Sequence, residues 1–502
     1  MKYNKILIAL LFIGLAACSG DDFLSLPSET DLVTETFFQS QGDFEKAVNG
    51  AYGPLLYLYR GNTDPADGAT FWAMAEMHSD NSHYIHNPNY RATTDWEQIS
   101  NFIYDPTSDI ATQVYRTNYQ IIARSNEILD KIDAVDFDAD VKDNLKGQAH
   151  FLRAMAYFNL VQYYGEVPMH LEPVSSFEGV ALPLSPVNDI YAQIVLDAVE
   201  AATLLPPKSE QEAGRATSGA AQTLLGNVYL VQEDFVAAET VLRNVVNSGE
   251  YQLMTNYADV FDPNNKNNIE SVFEVQYKEG TEGYASNFTY TFVPQPITAA
   301  ELTTLMEQYI TAPTGITALT QEAYNVPTPD IIQAYEAGDL RLDATIGYGD
   351  AGGTTYPFVR KYLHEHSAAQ LTNNSWPVYR YSEVLLLLAE ALIEQGKESD
   401  ALPFINEVRQ RAGLADITAT ANLADALLQE RRIELAFENK RWLDLVRLEK
   451  AVDVISDFGA RVKANPQDYY YPAGIGPVPA AFTDIQLTFP LPAAEAQLSP
   501  YF

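Results

Sequence analysis

The stretch Phe151-Leu152-Arg153-Ala154-Met155-Ala156-Tyr157-Phe158-Asn159-Leu160-Val161-Gln162-Tyr163-Tyr164-Gly165-Glu166-Val167-Pro168 decides the class of the fold. Leu152, Ala156, Leu160 and Tyr163 recur at steps of three and four, the spacing that lines up side chains on one face of an α-helix. Arg153 stands among apolar neighbours, where a buried charge must be paired or hydrogen-bonded. The same period continues on both sides, from Ile110 to Leu253, as in Tyr115, Tyr119 and Ile122, with Gly, Pro and Asp in the turns between. A set of packed amphipathic helices is predicted.

Within and beyond this region a helix pair repeats. Leu225, Gly226, Tyr229 and Ala238 fall at the offsets of a tetratricopeptide pair, and Leu388, Ala389, Leu392 and Ala401 fall at the same offsets. The pattern serves close approach: small residues of the two helices meet while larger ones fill the groove towards the next pair. Such hairpins are stable only when neighbours cover their apolar faces. Tyr115 to Leu160 and Val187 to Tyr229 are the places for further pairs.

Two regions lack the helical period. Residues 256–376 contain Asp262-Pro263-Asn264-Asn265, a strand-like Ser271-Val272-Phe273-Glu274-Val275-Gln276-Tyr277, and then sequence rich in Gly, Thr, Pro and Tyr. They read as a loop-rich subdomain inserted between helix pairs. Asp64 to Asp105 is similar, with Trp72, Tyr84, Tyr90 and Trp96 among Asn, Asp, His and Thr. Long ordered loops on a helical scaffold are the usual seat of binding sites. The expected organisation is a leader at 1–17, an N-terminal segment with ligand-loop candidates at 18–109, a helical region at 110–255, the insertion at 256–376 and a C-terminal helical region at 377–502.

The N-terminal end sets the compartment. Lys2 and Lys5 precede an apolar run, Ile6 to Gly14, too short to span a bilayer, and the run closes on Leu15-Ala16-Ala17-Cys18. This is the architecture of a bacterial lipoprotein signal, with Cys18 as the lipidated first mature residue and the lipid as membrane anchor. Cys18 is the only cysteine, so one chain forms neither a disulfide nor a Cys-ligated zinc site. The chain carries 31 basic and 67 acidic residues, a formal −36, and losing Lys2 and Lys5 with the leader makes it −38. Such a field repels nucleic acid and anionic headgroups. With hydrophobics at 47% and acidic residues scattered, the chain is globular and not an acidic disordered one.

The stretch from Phe151 to Pro168 resembles the hallmark segment of the SusD/RagB family. Gly214-Arg215-Ala216-Thr217, Arg380-Tyr381-Ser382-Glu383-Val384-Leu385, Glu430-Arg431-Arg432-Ile433-Glu434-Leu435, Arg441-Trp442-Leu443-Asp444-Leu445 and the terminal Phe489-Pro490-Leu491-Pro492 with Glu495 follow in the family's order. Gln148-Ala149 and Tyr115 depart from the pattern, where Glu-Ala and Trp are usual. Ser19-Gly20-Asp21-Asp22 is similar to the surface-export signal of lipoproteins in bacteria with such systems. The resemblance implies a mainly α fold with tetratricopeptide-type pairs and few short strands. It also implies an outer-membrane lipoprotein facing the cell exterior, which captures an oligosaccharide or polysaccharide and passes it to a SusC-like TonB-dependent transporter. The tetratricopeptide side is then the barrel contact, and peptides or another nutrient are the alternative ligands. Arg153, Arg431, Glu434, Arg441 and Trp442 read as scaffold.

A sugar offers apolar C–H faces and a ring of hydroxyls, so its site needs flat aromatics beside amides or carboxylates. Trp96 and Trp72 are the platform candidates, although the run around Trp72 favours packing; Tyr84 and Tyr90 come next, with Asn81, Asn87, Asn89 and Arg91 as polar partners. Tyr284, Tyr290, Tyr348 and Tyr356 are candidates from the insertion. A secreted glycoside hydrolase is the enzyme alternative, but abundant carboxylates do not single out an acid/base pair, and no nucleophile elbow, phosphate loop or zincin motif is present. No cofactor is expected. His83 and His86 have a ligand-like gap without a third partner nearby and read as a surface pair. Asp136, Asp138 and Asp140 imitate the start of a calcium loop, but Val141 and Gly147 stand where that loop needs Gly and Glu, which leaves a solvated interhelical loop.

Overall fold

In the computed structural model, which describes residues 37–61, 68–89, 95–174 and 180–501, helices α1 (Gln41–Tyr59), α2 (Asp95–Ser100) and α3 (Asp109–Lys131) lead to α4 (Ala139–Tyr164). Phe151 to Tyr164 form the second half of α4, with Gly165 to Pro168 following it, and every residue from Phe151 to Val161 is buried. A helix apolar on one stripe was expected; this one is covered all round, because α1, α3 and the next helix pack on its different faces. Asp138 caps its start, its carboxylate accepting the Val141 N–H at 3.1 Å, so that aspartate caps a helix. Gly165, at φ +71°, ends it in a conformation that favours glycine.

The stack continues through α5 (Val187–Leu204), α6 (Ser218–Val231) and α7 (Phe235–Asn247), each helix packed on the one before. Thr217 and Asp234 cap α6 and α7 by accepting the N–H groups of Ala220 and Ala237. Four short helices, α8 (Phe288–Phe292), α9 (Ala299–Glu307), α10 (Pro329–Ala334) and α11 (Arg341–Thr345), belong to the insertion. Then come α12 (Tyr381–Ile393), α13 (Glu398–Arg411), α14 (Leu423–Glu434), α15 (Arg441–Arg447) and α16 (Ala451–Ala464). α12 packs on α7, so the two helix pairs with matching offsets are neighbours in space although the insertion separates them in sequence. At the Gly226 position the approach is close: an added Cβ would lie 2.6 Å from Leu242.

Strands among the described residues are short and antiparallel. β1 (Ser82–Ile85) pairs with β5 (Ala323–Pro327), β2 (Val167–Pro168) with β3 (Leu184–Ser185), β4 (Ser271–Val275) with β8 (Trp376–Arg380), and β6 (Ile346–Ala351) with β7 (Thr354–Val359). The β4–β8 pair closes the insertion at its root, since the chain leaves the helical stack on one strand and returns on the other. Among the described residues no helix is long and apolar enough to cross a membrane.

Buried charges tie the C-terminal helices to this root. Arg380 reaches Glu270 at 2.5 Å, Glu434 at 2.9 Å and Glu438 at 2.7 Å, and Arg341 reaches Asp339, Glu430 and Glu434 at 2.8, 2.6 and 3.1 Å. Arg153 forks onto Asp197, Arg431 onto Asp444 and Arg441 onto Asp80. Burial pushes the Asp444 carboxyl up, but Arg431 and Arg447 outweigh it and hold it down at about 2. Arg153, Arg380, Arg431 and Arg441 therefore serve as scaffold, as charges in a dry interior must. Among the described residues no arginine or lysine forms an ion pair with Glu76: its Oε1 accepts the N–H groups of Asn439 and Lys440 at 3.1 and 3.4 Å, and burial raises its carboxyl to about 7.

Candidate functional site

The structure gathers the predicted aromatics of the N-terminal segment and encloses them. Trp72 (0% exposed) stacks on Trp96 (3%) with ring centroids 5.1 Å apart at 26°, and Tyr324 of β5 also packs on Trp96, with centroids 4.3 Å apart. Trp96 is thus a core ring and not the exposed platform its polar neighbours suggested. Tyr84 is buried, its hydroxyl 2.8 Å from that of Tyr471 and 3.1 Å from the Asn101 amide nitrogen. Asn81 is buried too, its Oδ1 accepting from Arg432 Nε at 2.8 Å. Tyr290 is buried with its hydroxyl 2.7 Å from His366 Nε2. In each case covering residues come from segments distant in sequence. Cys18, Tyr90 and Arg91 lie outside the described residues.

Tyr284 is different, being 53% exposed. The turn from Lys278 to Tyr284, closed by the Lys278 N–H on the Tyr284 carbonyl at 2.8 Å, holds its ring at the rim of an open cleft of about 450 Å³. The floor is apolar, made by Leu55 and Leu56 of α1 and by Phe273 and Val275 of β4. The rim is polar: Asn49 from α1, Glu212 and Arg215 from the segment before α6, and Gln276 after β4.

These rim groups are oriented before any ligand arrives. Arg215 donates to Glu212 at 2.5 Å, to Asn49 Oδ1 at 2.9 Å and to Gln148 Oε1 at 3.1 Å. Gln276 donates to Glu274 at 2.9 Å and to Asn267 at 3.1 Å. Gly214, at φ +87°, lets the chain turn beside Gln276, whose Cγ would lie 2.9 Å from an added Cβ. This is what the Gly214-Arg215-Ala216-Thr217 motif does locally: the glycine permits the turn, the arginine braces the rim and the threonine caps α6. An exposed aromatic over an apolar floor, with amides, a carboxylate and a guanidinium around it, suits a ligand with apolar faces and many hydroxyls. Arg215 was legible as a motif residue, but nothing in the local sequence places Asn49 and Gln276 beside it.

A second cleft, of about 330 Å³, lies in the insertion among Asp262, Tyr309, Arg360 and Glu365. There the guanidinium of Arg360 covers the Tyr309 ring at 4.5 Å, so that face is already taken. Tyr348 is exposed, with its backbone N–H on the Tyr309 hydroxyl, while Tyr356 packs against Tyr470. His83 and His86 are both buried, which corrects their reading as a surface pair. Among the described residues, one set of metal-ligating groups converges: His86 with Glu97 and Glu322.

Comparison with known proteins agrees with this architecture. The sequence model of the SusD family matches residues 344–501, and one described as "Starch-binding associating with outer membrane" matches residues 22–230. A SusD-like protein of Formosa agariphila is 26% identical, over 94% of this chain and 96% of its own length. A solved SusD-like carbohydrate-binding protein of Bacteroides fragilis superposes with a TM-score of 0.76 at 24% identity, covering 93% of this chain and 99% of that one. A solved laminarin-binding SusD-like protein superposes with a TM-score of 0.73, also at 24% identity, over 92% and 98% of the two chains. With both ends of the chain matched by models of one family and the whole fold shared with its members, this chain belongs to the SusD/RagB family.

Proposed function

We propose that this protein captures a nutrient oligosaccharide or polysaccharide at the cell exterior and hands it to a partner TonB-dependent outer-membrane transporter. Lipid at Cys18 holds it to the outer membrane, and the protein binds its ligand without transforming it. The observation that carries the reading is the cleft at Tyr284, whose exposed ring, apolar floor and braced polar rim match the two kinds of surface a sugar presents. The names of its relatives support it: family members are described as binding starch, laminarin or carbohydrate.

The test is a binding screen of the soluble chain from Ser19 onward against neutral and acidic oligosaccharides, with Tyr284→Ala and Arg215→Ala beside the wild type. Binding by the wild type, weakened at least tenfold in Tyr284→Ala with folding retained, supports capture at this cleft. Glycan binding untouched by either variant moves the site elsewhere on the chain. Inert glycans with bound peptides replace the ligand class, and product release from polysaccharide by the purified chain replaces capture with hydrolysis.

A further inference from the structure

His86 and Glu97, eleven residues apart, and Glu322, more than two hundred residues further on, come from three different elements and meet in space. His86 directly follows β1, Glu97 lies in α2, Glu322 directly precedes β5, and one ligand atom from each falls within 4.8 Å of the others. His86 Nδ1 is 3.7 Å from Glu97 Oε1. In a tetrahedral site with bonds of about 2.0–2.1 Å the donors are about 3.3 Å apart. That edge therefore needs to close by only a few tenths of an ångström, within reach of a glutamate side-chain rotation.

The backbone beneath the three groups is tied together. The His86 N–H donates to the Tyr470 carbonyl at 3.3 Å, and the Asn87 N–H donates to Glu322 Oε1 at 3.4 Å. The Asn87 side-chain amide donates to the carbonyls of Thr320 and Gln321 at 3.2 and 3.0 Å, joining the end of β1 to the start of β5. The His86 ring lies against Tyr471 with centroids 5.7 Å apart at 26°, which fixes its plane. His86 and Glu322 are buried and Glu97 is half-buried, so the donors converge in a place with little room to disperse. His83 takes no part: its ring stacks on Tyr84 at 4.5 Å.

We propose that His86, Glu97 and Glu322 form a binding site for a divalent transition-metal ion of the zinc type. One imidazole and two carboxylates suit zinc, whereas calcium prefers a larger, all-oxygen set. The ion holds α2 to the β1–β5 pair, and since Trp96 neighbours Glu97 and Tyr324 lies two residues from Glu322, it clamps the stack that encloses Trp96. The site is separate from the Tyr284 cleft and does not depend on how that cleft is used.

The experiment takes the mature chain freed of metal by a chelator and titrates it with Zn2+, Ca2+ and Mg2+ by calorimetry and thermal shift, with a Co2+ titration followed by visible absorption. The expected result is one Zn2+ per chain with a rise in melting temperature, and a Co2+ d–d band from the unaltered protein. Affinity should fall at least tenfold in His86→Ala and in Glu97→Gln, and stay unchanged in His170→Ala, a half-buried histidine just after β2 and outside this site. No stoichiometric Zn2+ and no Co2+ band overturns the proposal. So does zinc affinity equal to wild type in both His86→Ala and Glu97→Gln, or Ca2+ binding more tightly than Zn2+. The Co2+ spectrum of the unaltered chain decides the matter even if a variant fails to fold.

Discussion

Arg153, Arg380 and Arg431 of the motif segments and the two tryptophans Trp72 and Trp96 are all buried, but they become so in different ways. Arg153 and Arg431 sit on helices, and Arg380 where a strand becomes one, among neighbours whose apolar period already points inward. Trp96 sits between Asp95 and Glu97 on a six-residue helix, and its cover, Tyr324, comes from a strand of the insertion. Local polarity reports exposure only when the covering element is also local. Tyr284 and Tyr290 show the local case: Tyr284 follows Glu282-Gly283 in a polar turn and is open, whereas Tyr290 lies between Phe288 and Phe292 and is buried.

The contrast can be broken most forcefully at Arg380. Arg380→Ala leaves Glu270, Glu434 and Glu438 short of a cation, and removing one partner of a buried pair costs up to about 5 kcal/mol. Denaturant unfolding should show that loss; one below about 1 kcal/mol would mean that water reaches and screens the network.

Trp96→Ala comes next. Truncating a buried tryptophan should cost about 4 kcal/mol, whereas an exposed platform would lose ligand affinity and almost no stability. Urea unfolding and glycan binding measured on one sample separate the two cases.

Glu76 tests the scaffold through pH. Its carboxyl is raised by burial from 4.5 to about 7, so the stability it supports is complete below 4.5 and is lost as pH rises through 7. Above pH 7 the ionised group costs about 3 kcal/mol. Glu76→Gln should therefore be nearly neutral at pH 4 and stabilising at pH 8.5, as read from melting temperatures at the two pH values; a variant less stable at both would show that the carboxylate is held by charge.

The smallest effect on folding is expected at Tyr284. Tyr284→Ala should change stability by less than about 0.5 kcal/mol, while weakening glycan binding tenfold or more in a fluorescence titration. A large loss of stability would make this ring part of the packing.

Much of the fold was legible because its signals are local. The three-and-four spacing of Leu152, Ala156, Leu160 and Tyr163 marks α4, and the matching offsets of Leu225-Gly226 and Leu388-Ala389 mark the two stacked pairs. The motif charges announced a paired interior, since an arginine is not left alone in a dry place. The candidate site was far less legible. Tyr284 was named among many tyrosines, whereas Asn49, Arg215 and Gln276 join it only because α1, the turn before α6 and β4 converge. His86 was seen beside His83, but its partners proved to be two glutamates from other elements.

The sequence by itself determined the helical scaffold, the family and the net charge, because periodicity, motif order and composition are properties of neighbours along the chain. Tertiary structure alone decided which aromatics face water, which polar groups ring the cleft and which three ligand atoms meet at His86. Those outcomes depend on pairings such as β1 with β5 and β4 with β8, where side chains far apart in sequence cover one another and no local pattern records the contact.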